Sequence, residues 1–291
     1  MARLSFRSNE TIHSSHFLAS FSMTPLQLAI LRHIHRYHFL TNRQLFTLGL
    51  GNQQVIRRAT RQLATTPRKS PNLIRKSFPP HARLGRMAHV FSLGDRGKRY
   101  VEEESQVPLA KPILSTLTTN DYFHRLAVVD VRIALEQLPE ISIPWFVSYF
   151  ELERTEHQLR PLLRLDFADG SFVVPDGAFA IRGKERNAVF LLEYVRGYRQ
   201  QRTIDQITRH TRLMVEDVMR QKGNLPDPPK VLFIFEHTSH ARSIWKRMTT
   251  SGWFAPFANA FLFAPMEAFI HNPVNCWRMV HHPHLISLSS L

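Results

Sequence analysis

Short amphipathic stretches near the start of the chain predict three helices. The first begins at Thr24-Pro25, with threonine as N-cap and proline at the first helical position. The second begins at Thr41, which has capping-box spacing with Gln44. The third covers about residues 53–64, after Asn52 as N-cap. Each stretch repeats apolar residues at helical spacing, so we expect the three helices to share one small core.

The pattern then changes to two strands joined by a basic loop. Residues 73–78 and 87–93 are strand-like, and residues 79–86 between them contain Arg83 and Arg86. A closing helix follows from Gly94 to Glu104. Three short helices followed by a hairpin with a basic tip is the element order of a winged helix-turn-helix, which we predict over residues 23–104.

The rest of the chain has the pattern of a second domain. A long helix, strand-like runs and further helices alternate with strands, which predicts a mixed sheet. The predicted fold class is therefore α+β / α/β. The expected division is a flexible N-terminal segment (1–22), the winged helix (23–104), a linker (105–117) and an α/β domain (118–291). The predicted helices cover about 120–138, 200–222 and 239–250, and the predicted strands cover 141–152, 162–167, 172–174, 178–181, 188–195, 230–235 and 260–264.

The uneven distribution of charge along the chain indicates a binding partner. The chain has 38 Lys+Arg against 23 Asp+Glu, and the first 111 residues alone carry 18 basic and 5 acidic side chains. Such asymmetry predicts double-stranded DNA as the partner of the first domain. A hydrophobic content of 43% excludes wholesale disorder, and the single cysteine excludes an internal disulfide framework. No long apolar run predicts a membrane span, so we expect a cytoplasmic protein.

The third helix is the expected recognition helix, since it follows the glycine turn. Its polar face and the hairpin supply the candidate contacts. We expect base contacts from Gln53, Gln54, Arg57, Arg58 and Arg61, and phosphate contacts from Arg75, Lys76, Arg83 and Arg86. The alternative is a three-helix core with a solvated arginine face.

Two acidic residues form a candidate site in the second domain. Asp176 lies in a Pro-Asp-Gly sequence, and Glu193 ends the next apolar run. If these strands pair through a turn at residues 183–186, both carboxylates can lie at one sheet edge. Such a pair could hold Mg²⁺ or Mn²⁺ and activate water against a phosphodiester. The alternative is an ordinary turn and an unrelated exposed glutamate.

Several segments in the same order resemble the replication-relaxation family of plasmids and other mobile elements, which includes MobC-type mobilisation proteins. The resemblance covers roughly Met23 to Leu213. The segments that carry it are MTPLQLAILR (23–32), FLTNRQL (39–45), VFSLGDRG (90–97), HRLAVVDV (124–131), PDG (175–177), FLLE (190–193) and RG (196–197).

This resemblance implies a winged helix fused to a domain similar to the PD-(D/E)xK nuclease fold. Asp176 and Glu193 would be its acidic ligands, with His124 projecting from the helix packed near them. Gln206, or its neighbour Arg209, would occupy the position where family members often carry lysine. Val195 departs from the pattern, because a lysine or an aspartate is expected two residues after the glutamate. The resemblance therefore leaves open a degenerate site.

These observations predict a DNA-binding protein that acts at a replication or transfer origin. One alternative is a metal-dependent endonuclease or nicking relaxase using Asp176 and Glu193. Another is a ligand-responsive winged-helix transcriptional regulator. Expected partners are DNA, other plasmid mobilisation or replication proteins and a second copy in a homodimer. Tyr198, close to Glu193, is expected to pack or stack rather than act as a nucleophile.

Overall fold

A computed structural model gives the fold of the 291-residue chain. It describes residues 23–65, 70–82, 85–106, 116–151, 160–182, 187–218, 227–282 and 284–290. The expected flexible segment 1–22, Arg83, the turn at 183–186 and most of the expected linker lie outside these residues.

Three helices and a small sheet form the first part of the molecule. Thr24 and Thr41 accept hydrogen bonds from the backbone of Gln27 and Gln44, so the predicted N-cap at Thr24 and the predicted capping box at Thr41 are confirmed. The structure adds a capping box at Thr24 that was not predicted. Gly49 and Gly51 have positive φ angles (76° and 126°) in the turn that follows α2, a conformation that glycine adopts without strain. The elements are α1 (Pro25–Tyr37), β1 (Leu40–Thr41), α2 (Asn42–Thr47), α3 (Gln53–Thr65), β2 (Leu73–Lys76), β3 (Val90–Leu93) and α4 (Asp95–Ser105).

The small sheet is antiparallel, in the order β1-β3-β2. Leu73 pairs with Leu93 and Lys76 with Val90, so β2 and β3 form a hairpin whose far end carries a further bridge between His81 and Gly85. The apolar faces of the helices close over this sheet in one core. The apolar pattern predicts Phe46 and Val55 in that core, but both are about half exposed, because they lie on the outer sides of α2 and α3.

A six-stranded mixed sheet forms the centre of the second part. Its order is β11-β10-β9-β8-β7-β4, with β8, β9 and β10 parallel and the remaining pairs antiparallel. The mixed α/β class predicted from the sequence is confirmed. The elements are α5 (Tyr122–Glu136), β4 (Phe146–Ser148), α6 (Arg160–Leu163), β5 (Leu165–Asp166), β6 (Phe172–Val173), β7 (Gly177–Arg182), β8 (Asn187–Val195), α7 (Gln200–Val215), β9 (Lys230–Phe235), α8 (Thr238–Thr249), β10 (Phe261–Pro265), α9 (Met266–His271) and β11 (Arg278–Met279), with short 3-10 helices at Tyr149–Glu151, Gly252–Ala260 and Leu288–Ser290.

Helices cover both faces of this sheet. Leu191 and Val195 of β8 pack in the core that includes α7 and α8, whereas Phe190, Leu192 and Tyr194 pack in the core that includes α5 and α9. Alternation along a strand therefore sends Glu193 toward α7 and α8. Burial on both faces explains the continuous apolar run that precedes Glu193.

Helix α5 belongs to two cores at once. Tyr122, Val129 and Ile133 pack with the N-terminal helices, while Val128 and Val131 pack with the six-stranded sheet. The expected domain boundary at residue 118 therefore precedes a helix that both parts use.

Several expected elements differ in the structure. Of the predicted strand over 141–152, only Phe146–Ser148 pairs as a strand, and a 3-10 helix follows at Tyr149–Glu151. The predicted strand over 162–167 begins as helix α6, and only Leu165–Asp166 pairs as a strand. The strand over 260–264 is followed by β11, so it is not the last. The helix predicted from about residue 120 begins at Tyr122, after Asp121 and without a side-chain cap. Over the part of the chain that the structure covers, no helix is both long enough and apolar enough to cross a membrane.

Candidate functional site

The strand register brings the two predicted acidic residues together. Gly177 of β7 pairs with Leu192 of β8, which places Asp176 beside Glu193 at the end of the hairpin. Glu193 is only 3% exposed, so the alternative of an unrelated exposed glutamate is wrong. The pair borders a cavity of about 860 Å³ that α7 also lines.

Asp176 is held by one side chain and one backbone group. Its Oδ1 lies 2.7 Å from Nε2 of His124 on α5, and its Oδ2 accepts a 2.7 Å hydrogen bond from the backbone N–H of Tyr194. Burial lowers the pKa of His124, but the charge of Asp176 and the hydrogen bond to it outweigh burial, so the pKa of His124 is raised. The shift favours the protonated form of His124 against this carboxylate.

Glu193 is held by two side chains of α7. Nε2 of His210 lies 2.6 Å from Oε1, and Nε2 of Gln206 donates to Oε2 at 3.2 Å. Burial and the charge of Asp176 raise the pKa of Glu193 well above its usual range, and burial lowers the pKa of His210 to about 4. The raised pKa of Glu193 and the lowered pKa of His210 both favour the uncharged form of a buried group.

The second nitrogen of His210 indicates where its proton lies. Nδ1 is buried and has no hydrogen-bond partner among the described residues. A buried N–H without an acceptor is rarer than a buried acceptor without a donor. We therefore assign the proton to Nε2, so that a neutral His210 donates to Glu193.

These residues do not fit a divalent cation in this arrangement. Each of the four carboxylate oxygens already has a hydrogen-bond partner, so a cation would have to displace or share these contacts. The raised pKa of His124 also favours a protonated imidazole beside Asp176, which competes with a metal there. Val195, two residues after Glu193, is an apolar side chain that packs in the core. Within the described ranges, no cluster of three or more His, Cys, Asp or Glu side chains could hold a metal ion.

Sequence reasoning missed His210. The resemblance pointed to Gln206 or Arg209 on this helix, and the structure places Gln206 on Glu193 and Arg209 on the cavity wall. His210 is one helical turn after Gln206 and on the same face. The i, i+4 spacing of Gln206 and His210 is the feature of the sequence that could have identified His210.

A second candidate surface lies between α3 and the β2–β3 hairpin. It is a concavity of about 660 Å³ lined by five predicted DNA-contact residues: Gln53, Arg57, Arg61, Arg75 and Arg86. Burial together with the positive charges of Arg75 and Arg86 lowers the pKa of the nearby His89. The surface is therefore electropositive as well as concave. Gln54 and Arg58 are exposed on α3 but do not line it.

Lys76 does not belong to this surface, contrary to the sequence-based expectation. Its ammonium donates a 2.6 Å hydrogen bond to the carbonyl of Leu117 and lies 5.7 Å from the ring centroid of Phe78. Successive side chains on a strand point to opposite faces, so Lys76 points away from the face that Arg75 occupies. Arg83 lies outside the described residues.

Comparison with known proteins gives one match. A family model described as replication-relaxation matches residues 31–226, about two thirds of the chain. The matched segment includes α3, the hairpin, Asp176, Glu193 and α7. Searches of curated proteins and of solved structures returned no match.

Proposed function

The chain belongs to the replication-relaxation family, and from this premise we propose that it is a DNA-binding protein acting at a replication or transfer origin of a plasmid or mobile element. The family suggests a role in plasmid replication or mobilisation. The observation that carries the more specific proposal is the concave basic surface between α3 and the hairpin.

In this proposal, residues 23–104 act as a winged helix-turn-helix. The element order from α1 to α4 and the antiparallel hairpin support that assignment. The exposed polar face of α3 enters the major groove, where Gln53, Gln54 and Arg57 contact base edges. Arg75 and Arg86 lie across the concavity and contact phosphates.

The second part has a nuclease-like arrangement that we propose is not catalytic. Helix α5, the β7–β8 hairpin, α7 and the parallel strand β9 follow the order expected for a PD-(D/E)xK core, with both acids at one sheet edge. Arginine in place of the expected lysine is a poor proton shuttle, because its pKa stays high. His124 pairs with Asp176, His210 pairs with Glu193, and Val195 is apolar. These features support a role in binding rather than cleavage.

Titrations with duplex fragments tiled across the DNA that flanks the gene test the binding proposal. Arg75→Ala and Arg86→Ala should weaken binding to all sequences and lower the salt slope by about 0.9 for each lost phosphate contact. Arg57→Ala should reduce preference for the cognate fragment by about 1–3 kcal/mol. Arg247→Ala, an exposed arginine outside both cavities, is the matched control. Unchanged affinity in the first two variants at fixed salt would contradict the assigned surface.

A nicking assay tests the non-catalytic assignment. Purified protein is incubated with supercoiled plasmid carrying the same flanking DNA, in Mg²⁺, Mn²⁺ or EDTA. We expect binding without nicking in every condition. Nicking that requires metal and disappears in Asp176→Ala would instead establish the endonuclease alternative.

A further inference from the structure

An exposed aromatic stack stands at the mouth of the larger cavity. The ring of Tyr198 is stacked on His237, with centroids 4.3 Å apart and planes inclined by 8°. Tyr198 is nevertheless 62% exposed and lines the cavity. The ring of His240 is also close, with centroids 6.0 Å apart and planes inclined by 26°. These two imidazoles hold the Tyr198 ring in a fixed orientation, while most of its surface remains open to solvent.

Three arginines extend from this stack along α7. Arg199, Arg202 and Arg209 are exposed and line the same cavity. With Gln206 they are separated by three, four and three residues, which is the spacing of one helix face. No ion-pair partner of these arginines occurs among the described residues. The row spans about 15 Å at the rise of an α-helix.

The described acids of the cavity leave this row available to a ligand. Asp176 and Glu193 are bound to His124 and His210. Asp121 lies 3.4 Å from Arg125, and Asp205 accepts a hydrogen bond from Gln201. A chain of unpaired arginines beside a rigid aromatic platform is the combination that proteins use for single-stranded nucleic acid. A base in a duplex has both faces covered by its neighbours, so only an unpaired base can stack on Tyr198.

We infer that this cavity binds a segment of single-stranded DNA, with one base stacked on Tyr198 and the backbone phosphates along Arg199, Arg202 and Arg209. The inference rests on the proposed function, since action at an origin exposes unpaired strands. It adds a second DNA contact, separate from the duplex contact of α3 and the hairpin.

The test measures anisotropy of a fluorescein-labelled oligothymidylate, which forms no duplex, and of the cognate duplex in parallel. Tyr198→Ala should weaken oligothymidylate binding by about 5- to 150-fold, the range found for loss of one base–aromatic stack. Tyr198→Phe retains the ring and should bind like the wild type. Arg199→Ala combined with Arg202→Ala should lower the single-strand salt slope by about 0.7 per lost phosphate contact. Arg247→Ala is again the charge control.

The duplex titration separates the two proposals. Full oligothymidylate affinity in Tyr198→Ala, with duplex binding intact, would overturn the single-strand site and leave the proposed function standing. Loss of single-strand binding in Arg57→Ala but not in Tyr198→Ala would assign that binding to α3 and also overturn the inference. Absence of both duplex and single-strand binding in the wild type would reject both proposals.

Discussion

At the scale of residues, two histidines define the character of the acidic pair. Two carboxylates next to a cavity and without other partners would attract a cation, but here each carboxylate has an imidazole partner. His124 carries a raised pKa and His210 a lowered one, because His124 faces the charge of Asp176 while His210 is fully buried. The same residue type is therefore shifted toward the protonated form at one carboxylate and toward the neutral form at the other.

The raised pKa of His124 has a consequence for stability. A histidine whose pKa is higher in the folded than in the unfolded state stabilises the fold fully below about pH 6.5, and this contribution is lost as the pH rises through the folded pKa. We expect His124→Asn to lower the free energy of unfolding most at pH 6 and progressively less toward pH 9. Urea unfolding of wild type and variant across this range measures the difference.

The exposed His282 provides the control, since His282→Asn should have a small effect that does not follow this trend. A difference between wild type and His124→Asn that is constant with pH would show that the His124–Asp176 contact stabilises through packing rather than charge.

At the scale of elements, close backbone approach positions the closing helix of the N-terminal part. Gly97 is buried on α4, and a Cβ atom there would overlap the carbonyl oxygen of Asn72. Gly94, just before α4, is as close to the carbonyl oxygen of Pro71. Helix α4 therefore lies against the backbone that leads into β2, and a side chain at either glycine would move it.

Gly97→Ala tests this packing, because packing and helix propensity predict changes in stability of opposite sign. Propensity alone predicts stabilisation by about 1 kcal/mol, whereas overlap with backbone that cannot move aside costs about 1–3 kcal/mol. We expect net destabilisation in thermal unfolding followed by circular dichroism. Gly252→Ala, with open space at the Cβ position, should be close to neutral. A more stable Gly97→Ala would show that α4 can shift without cost.

At the scale of the whole molecule, a partly buried charge cluster joins the two parts. Glu136 of α5 accepts hydrogen bonds from Arg36 and Tyr37 of α1 and from Arg132 of α5, at 2.9, 2.7 and 3.0 Å. Arg132 also lies 3.6 Å from Glu151, which pairs with His38 after α1. With α5 packed in both cores, these contacts favour unfolding of the two parts as one unit.

Arg132→Ala should therefore destabilise the entire chain. Removing one partner of a buried ion pair costs up to about 3–5 kcal/mol. We expect a smaller cost here, because Glu136 keeps its contacts with Arg36 and Tyr37 and Glu151 keeps His38. All four tryptophans follow residue 144, so tryptophan fluorescence reports the second part while far-ultraviolet circular dichroism reports the whole. We expect both urea midpoints to fall together.

An exposed ion pair supplies the comparison for that variant. Arg164→Ala removes the pair with Asp166, whose partners are both about half exposed, and should cost less than about 1 kcal/mol. If Arg132→Ala lowered only the fluorescence midpoint, the cluster would not couple the two parts.

The sequence by itself determined the features that depend on neighbouring residues. The N-cap at Thr24, the capping box at Thr41 and the apolar strand at 230–235 appear where the pattern predicts them, because caps and periodicity act over a few residues. The Pro-Asp-Gly sequence and the acid that ends an apolar run were also enough to select Asp176 and Glu193 as a candidate acidic pair.

The tertiary structure decided what depends on contacts between distant residues. It placed His210 against Glu193, turned Lys76 away from the surface that holds Arg75, and set α5 between two cores. These outcomes follow from strand register and helix packing, which no local pattern fixes. Burial then sets the pKa of each site residue, so the chemistry of the acidic pair depends on the assembled fold rather than on the motif alone.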